Sequence, residues 1–338
     1  MKHRYKPLKD QVIVITGASS GIGLATARRA AKRGARLVLA SRNDAVLKEI
    51  CEDIRAQGGE AIHVVADVGV KEQVQAIADA AVRHFGGFDT WVNNAGVVVF
   101  SHLDDLPIEE HKRLFDTNYW GVVYGSEAAV AHMRNRPGGG TIINVASINA
   151  EMPVPILGAY SASKAAVKAY SEVLRMEMIH ENAPIKVSVL KPSGIATPIS
   201  DHGRSHMGHR GKVMPPLYDV EVVASAILTA AQRPVRNITV GETGRLSEIG
   251  WAMAPSLFDR IIAWALPRVQ SSDQPPLERD NLFQAGDDGQ VYLDGRRSGI
   301  PVSPYTQLRV NRKLEAGLGL AVATMIGVLL AQRMLGRR

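Results

Sequence analysis

Short runs of β-branched and aliphatic residues alternate along this chain with longer stretches whose apolar positions recur every three to four residues. A strand buried on both faces reads as a continuous apolar run, and each parallel crossover needs a helix, so the alternation predicts a doubly wound parallel sheet with helices on both faces. The expected strands, seven in all, are Val12 to Thr16, Arg36 to Ala40, Ala61 to Ala66, Thr90 to Asn93, Thr141 to Ala146, Lys186 to Leu190 and Ile238 to Val240. Pro137 and the three glycines after it turn the chain into the fifth of these. No internal repeat is evident.

Past residue 250 the pattern changes. Trp251 to Val269 is amphipathic, with Trp251, Phe258 and Trp264 among its apolar positions, and suits either the roof of a substrate pocket or a membrane interface. Gln270 to Tyr305 is rich in Pro, Gly, Asp and Ser and aperiodic, the composition of a linker or loosely ordered extension. Ala316 to Ala331 then runs for sixteen residues without a charge. At 1.5 Å per residue that is about 24 Å, short of a roughly 30 Å hydrocarbon core unless flanking residues extend it. The division that follows is 1–250 catalytic domain, 251–269 amphipathic segment, 270–313 linker or extension, and 314–335 hydrophobic helix. That last helix reads as a membrane anchor, with a buried helix completing a dimer as the alternative.

The formal charge is +7, but from Arg296 onward eight basic residues face one acid, Glu315, so the whole excess lies in the tail. A tail of this kind flanks a membrane rather than tracking phosphates, which argues against a nucleic-acid partner. The one cysteine, Cys51, falls in a helical pattern and reads as a core thiol; a reducing compartment suits it. The N-terminal residues lack the apolar core of a signal peptide, which places the catalytic domain in the cytoplasm.

Candidate chemistry concentrates at Tyr160 and Lys164, four residues apart and therefore on one helix face. A phenol beside a fixed cation is biased towards phenolate, so the pair suits proton exchange with an alcohol or carbonyl. Ser147 ends the fifth expected strand. Thr16, Ser41, Asp67, Asn94, Ser147 and Pro192 all fall at or just past strand C-termini, the edge where open parallel sheets bind ligands. After the first strand, Gly17, Gly21 and Gly23 allow a tight turn and close approach to a pyrophosphate at the next helix N-terminus. Ile148 to Gly158 is largely apolar and stiffened by two prolines, either a substrate wall or a packing loop.

Thr16 to Gly23 (Thr-Gly-x-x-x-Gly-x-Gly), Asn93-Asn94-Ala95-Gly96, Asn118, and Ser147 with Tyr160 and Lys164 together resemble the classical short-chain dehydrogenase/reductase pattern over roughly residues 8 to 245. The resemblance implies a Rossmann-type α/β fold and an oxidoreductase that transfers hydride between a nicotinamide coenzyme and a carbonyl or alcohol carbon. It implies Tyr160 as acid/base, Ser147 on the substrate oxygen, Lys164 on the ribose, and Asn118 holding a water. Coenzyme contacts carried over are Gly17, Ser19, Ser20, Gly21, Ile22, Gly23, Asp67, Val68, Asn94, Ala95, Gly96, Tyr160, Lys164, Pro192, Ile195 and Thr197. Ser41-Arg42 replaces an acid after the second strand, so NADP(H) is expected over NAD(H), which remains a second substrate for the site. Ser193 stands where the family has glycine. The implied partners are a small hydrophobic carbonyl or alcohol substrate and a second or fourth copy of the chain. His202, His206 and His209 fall in the family's substrate lid, and no metal is expected. The competing class is a non-catalytic dinucleotide-binding module that senses redox state.

Overall fold

The computed structural model describes residues 5–311 except 234, 271, 287, 293 and 294, with the side chains of 266–268 also left aside. The expected helix at 314–335 lies outside them. Among the described residues no helix is long and apolar enough to cross a membrane.

The first half of the chain runs β1 (Val12–Thr16), α1 (Gly21–Ala31), β2 (Arg36–Ser41), α2 (Asp44–Ala56), β3 (Glu60–Val65), α3 (Lys71–Phe85), β4 (Thr90–Asn93), a short β5 (Val99–Phe100) and α4 (Ile108–Phe115). After a π-helical turn at Asp116–Trp120 come α5 (Gly121–Met133), β6 (Gly140–Val145), α6 (Gly158–His180), β7 (Ile185–Pro192), a one-turn α7 (Ile199–His202) and a short β8 (Arg204–Ser205). The rest is α8 (Val220–Gln232), β9 (Asn237–Val240), α9 (Glu242–Met253), α10 (Pro255–Val269) and α11 (Pro304–Val310).

The seven long strands form one parallel sheet in the order β3-β2-β1-β4-β6-β7-β9, and β5 pairs with β8 outside it. Each expected strand is present within one or two residues at its ends. β1 shows why the runs read as continuous: Ile13 and Ile15 enter the layer against α1, α2 and α8, whereas Val12 and Val14 face α3, α5 and α6. At about 1.5–3 kcal/mol for each fully buried aliphatic side chain, both faces must be covered for the strand to persist. Alanines 25, 27 and 30 on α1 are buried in the first layer, small enough to let that helix lie close to α8.

Two glycines fix the turn after β1. Gly17 has φ +63, and a Cβ there would lie 2.7 Å from the Ala95 Cα; one at Gly23 would lie 2.1 Å from the Gly17 carbonyl oxygen. The strand order reverses between β1 and β4, and their ends are stitched together there. Thr16 Oγ1 accepts from the Asn94 and Ala95 amides at 3.0 and 3.2 Å, and Asn94 Nδ2 donates to the Thr16 carbonyl at 3.0 Å. Ser193, just past β7, turns its hydroxyl onto the Val240 carbonyl at 2.7 Å and so ties β7 to β9.

Candidate active site

At the C-terminal edge of the sheet, beside the reversal of strand order, a single cleft runs from Ser41 and Arg42 past the glycine-rich turn to Ser147 and Tyr160. Every expected site residue lines it except Gly23, which lies beneath the turn, and Asn118. Asn118 is fully buried on the π-helical turn, and its side-chain amide is engaged elsewhere. Its Oδ1 accepts from the Val97 amide at 2.8 Å, and its Nδ2 donates to the Val97 carbonyl at 2.9 Å and to Ser163 Oγ at 3.1 Å. The residue therefore locks the backbone that follows Gly96 against α6.

Ser147 leaves β6 in extended backbone, and its Oγ accepts from the Asn149 amide at 3.2 Å. Tyr160 and Lys164 share one face of α6, as their spacing requires. Burial holds the Tyr160 phenol above its ordinary pKa, and a hydrogen bond from Ser147 opposes that only in part. Burial also pushes Lys164 down to about 8. Its Nζ donates to the Val145 carbonyl at 3.0 Å and lies 5.7 Å from the Tyr160 ring centroid. Burial thus penalises the charged forms of both side chains. At neutral pH the phenol carries its proton, ready to donate.

The glycine-rich turn suits a dinucleotide. The Cβ-free surface at Gly17 borders the cleft, and Ser20, the N-cap of α1, makes no side-chain cap; the first amide of the helix, that of Gly21, donates to the Gln290 carbonyl at 2.9 Å, so an anion at this terminus would be met by the amides that follow it. At the far end, Asp67 accepts from the Gly69 amide at 2.9 Å and from Arg113 Nη2 at 2.5 Å. Burial would raise its carboxyl, but these two donors hold it below the ordinary range. Arg42, expected to meet a 2′-phosphate, donates Nη1 to the Leu282 carbonyl at 3.3 Å and Nη2 to the Asn281 carbonyl.

The other end is apolar. Val98, Phe100, Met152, Val154, Ile156, Leu157 and Ile262 form one buried cluster, joined by Trp251 and Phe258 from α9 and α10. Ile156 has φ +57, a strained value for a β-branched residue, and its carbonyl accepts from the Ser101 amide at 2.9 Å. The opposite faces of α9 and α10 expose Leu246, Met253, Leu257, Ile261 and Trp264. His206 bonds Glu110 at 2.8 Å and His209 the Arg210 carbonyl at 3.1 Å, while His202 lines the cleft. Among the described residues no group of three His, Cys, Asp or Glu could hold a metal ion.

Sequence reasoning missed Arg113, which carries Asp67, and the whole contribution of Asn281, Ala285, Gly286 and Asp288 to the cleft. An aperiodic, polar segment carries no signal of where it docks.

A family model described as short chain dehydrogenase matches residues 11–208. The chain is 43% identical to the uncharacterized oxidoreductase YxnA of Bacillus subtilis over 292 residues, covering 84% of this chain and 81% of the relative. It is 40% identical to 3beta-hydroxysteroid dehydrogenase 1 of Eggerthella lenta over 197 residues, 58% of this chain and 75% of that one. A solved short chain dehydrogenase/reductase of Burkholderia phymatum in complex with NAD superposes with a TM-score of 0.68 at 26% identity, covering 80% of this chain and all of the other. By the length of that match and the identity to its relatives, the chain belongs to the short-chain dehydrogenases, NAD(P)-dependent oxidoreductases acting on CH–OH and C=O groups.

Proposed function

We propose that this enzyme interconverts a small hydrophobic ketone and its secondary alcohol. The observation that carries the reading is the junction of an acid/base group with a greasy wall: Tyr160, bonded to Ser147, packs against the cluster of Val154, Leu157 and Phe258. The similarity to a hydroxysteroid dehydrogenase supports the same substrate class. A nicotinamide dinucleotide in the cleft supplies the hydride donor or acceptor.

The chain's own residues then divide the work. Tyr160 donates its proton to the substrate oxygen on reduction and takes it back on oxidation. Ser147 hydrogen-bonds the same oxygen and keeps it facing the phenol. Lys164, beneath the Tyr160 ring, binds the coenzyme ribose and, while protonated, stabilises the phenolate left after proton transfer. Asn118 positions the Val97 backbone and α6. Residues 1–250 form the catalytic domain, and α9 with α10 closes the substrate side. Exposed Val173, Met176 and Ile179 on α6, with Trp120 nearby in the chain order before α5, support assembly of copies of the chain through these helices.

Coenzyme absorbance is the test, with purified protein against a panel of apolar ketones and alcohols and of sugars. Turnover of apolar members that disappears in Tyr160→Phe, with coenzyme binding retained, is the expected result; preference for the polar members would overturn the substrate class, and full turnover in Tyr160→Phe the assignment of the acid.

A further inference from the structure

Among the described residues between Asp280 and Val291 no helix or strand is formed, yet the chain is fastened along the cleft. Fully buried Leu282 anchors one end among Val97, Val99, Leu114 and Ala159, and its carbonyl accepts from Arg113 Nε at 3.0 Å and from Arg42. Asn43 Nδ2 donates to the Gly286 carbonyl at 3.3 Å. The Gly289 amide then donates to the Ser19 carbonyl and the Gly21 amide to the Gln290 carbonyl, both at 2.9 Å, before Val291 enters the core. Residue 288 is thus pinned against the glycine-rich turn from both sides, and Asp288 lines the cleft together with Ser41, Arg42 and Asp67.

That corner, beyond the ends of β1 and β2, is where an open α/β sheet receives the adenosine ribose. A carboxylate there accepts from ribose hydroxyls, and a cation accepts an added 2′-phosphate. β2 ends in Ser41-Arg42 and supplies no acid. Asp67 is paired with Arg113 at 2.5 Å and Asp280 with Arg204 at 2.8 Å. Arg42 gives two of its five N–H groups to main-chain carbonyls of the extension, and the charge of Asp288 acts on it. Arg42 therefore lies in the field of several carboxylates, Asp67 first and Asp288 and Asp280 after it. A 2′-phosphate, bringing about −1.5 to −2 charges, would meet a carboxylate where a hydroxyl would meet an acceptor.

We propose that Asp288 selects the coenzyme: the C-terminal extension carries into the adenosine subsite the carboxylate that β2 omits, so the ribose 2′-hydroxyl of NAD(H) is accepted and the 2′-phosphate of NADP(H) is disfavoured. This rests on the cleft being the coenzyme site, as read under the proposed function, and it reverses the preference that Arg42 alone implies.

Equilibrium fluorescence titration of the full-length protein with NADH and NADPH tests it, comparing wild type, Asp288→Asn and Asp288→Glu. Wild type is expected to bind NADH more tightly than NADPH. Asp288→Asn should move the ratio of affinities towards NADPH at least tenfold, and Asp288→Glu should keep most of the wild-type ratio. A purely structural role for Asp288 would weaken both coenzymes together and leave the ratio fixed; that outcome, or a wild type that prefers NADPH, overturns the proposal. Failure of wild type to bind either coenzyme would instead overturn the reading of the cleft itself.

Discussion

Replacing Lys164 by methionine separates what this residue costs the fold from what it does for chemistry. Its amine falls from an ordinary 10.5 to about 8 because it is buried. At about 1.4 kcal/mol per unit, holding it protonated burdens the folded state by about 3 kcal/mol at pH 7. The sign follows from proton counting: between pH 8 and 10.5 the unfolded chain binds more protons here than the folded one, so wild-type stability rises with pH across that window. By pH 9.5 the burden shrinks to about 1.4 kcal/mol, a relief of about 2 kcal/mol that methionine cannot show. Against this, Lys164→Met strands the Val145 carbonyl, which accepts from Nζ at 3.0 Å, at about 1–3 kcal/mol whatever the pH. The variant should therefore be about as stable as wild type at pH 7 and lose ground by about 2 kcal/mol at pH 9.5, while turnover collapses at both. Urea unfolding of the two proteins without coenzyme, at each pH, measures the gap. A gap that stays constant with pH, or that moves in favour of methionine as pH rises, would refute the buried, depressed amine.

Three other outcomes follow from the geometry. Ser147→Ala removes a donor to Tyr160 and should lower kcat by roughly a hundredfold, the scale of one lost transition-state hydrogen bond, with coenzyme affinity unchanged in titration. Gly17→Ala forces a side chain to φ +63 and 2.7 Å from the Ala95 Cα, so it should cost about 1–3 kcal/mol in unfolding experiments and weaken both coenzymes alike. Arg113→Ala removes one donor each from Asp67 and the Leu282 carbonyl; the carboxyl, left with the Gly69 amide, should titrate higher by NMR, and limited proteolysis should cut first between residues 280 and 290.

How much of this was legible in the sequence depended on whether a signal was local. β1 announced itself because Val12 to Ile15 are β-branched, short in run and bounded by a glycine-rich turn, and in the fold they fill both layers of the core. Tyr160, Lys164 and Ser147 were legible because helical spacing and a strand end fix their relative positions. The burial that raises Tyr160 was not, because the cluster it packs against includes Ile262, a hundred residues downstream, and closes only with the fold.

The extension shows the limit most sharply. Its composition announces an absence of regular structure, and composition equates that with looseness. Main-chain bonds to Ser19 and Gly21 do not care which side chains carry them, so they leave no trace in residue type. Leu282 is buried while its neighbour Phe283 is half exposed, and nothing in the local sequence says which of the two anchors the segment. Arg42 shows the same limit: a cation after β2 invites a phosphate when its surroundings are solvent, and here its surroundings include two carbonyls and the charge of a carboxylate delivered from about 240 residues away, none of which its local sequence displays. The chemistry of a subsite is set by the net charge that converges on it, and convergence is a property of the folded chain.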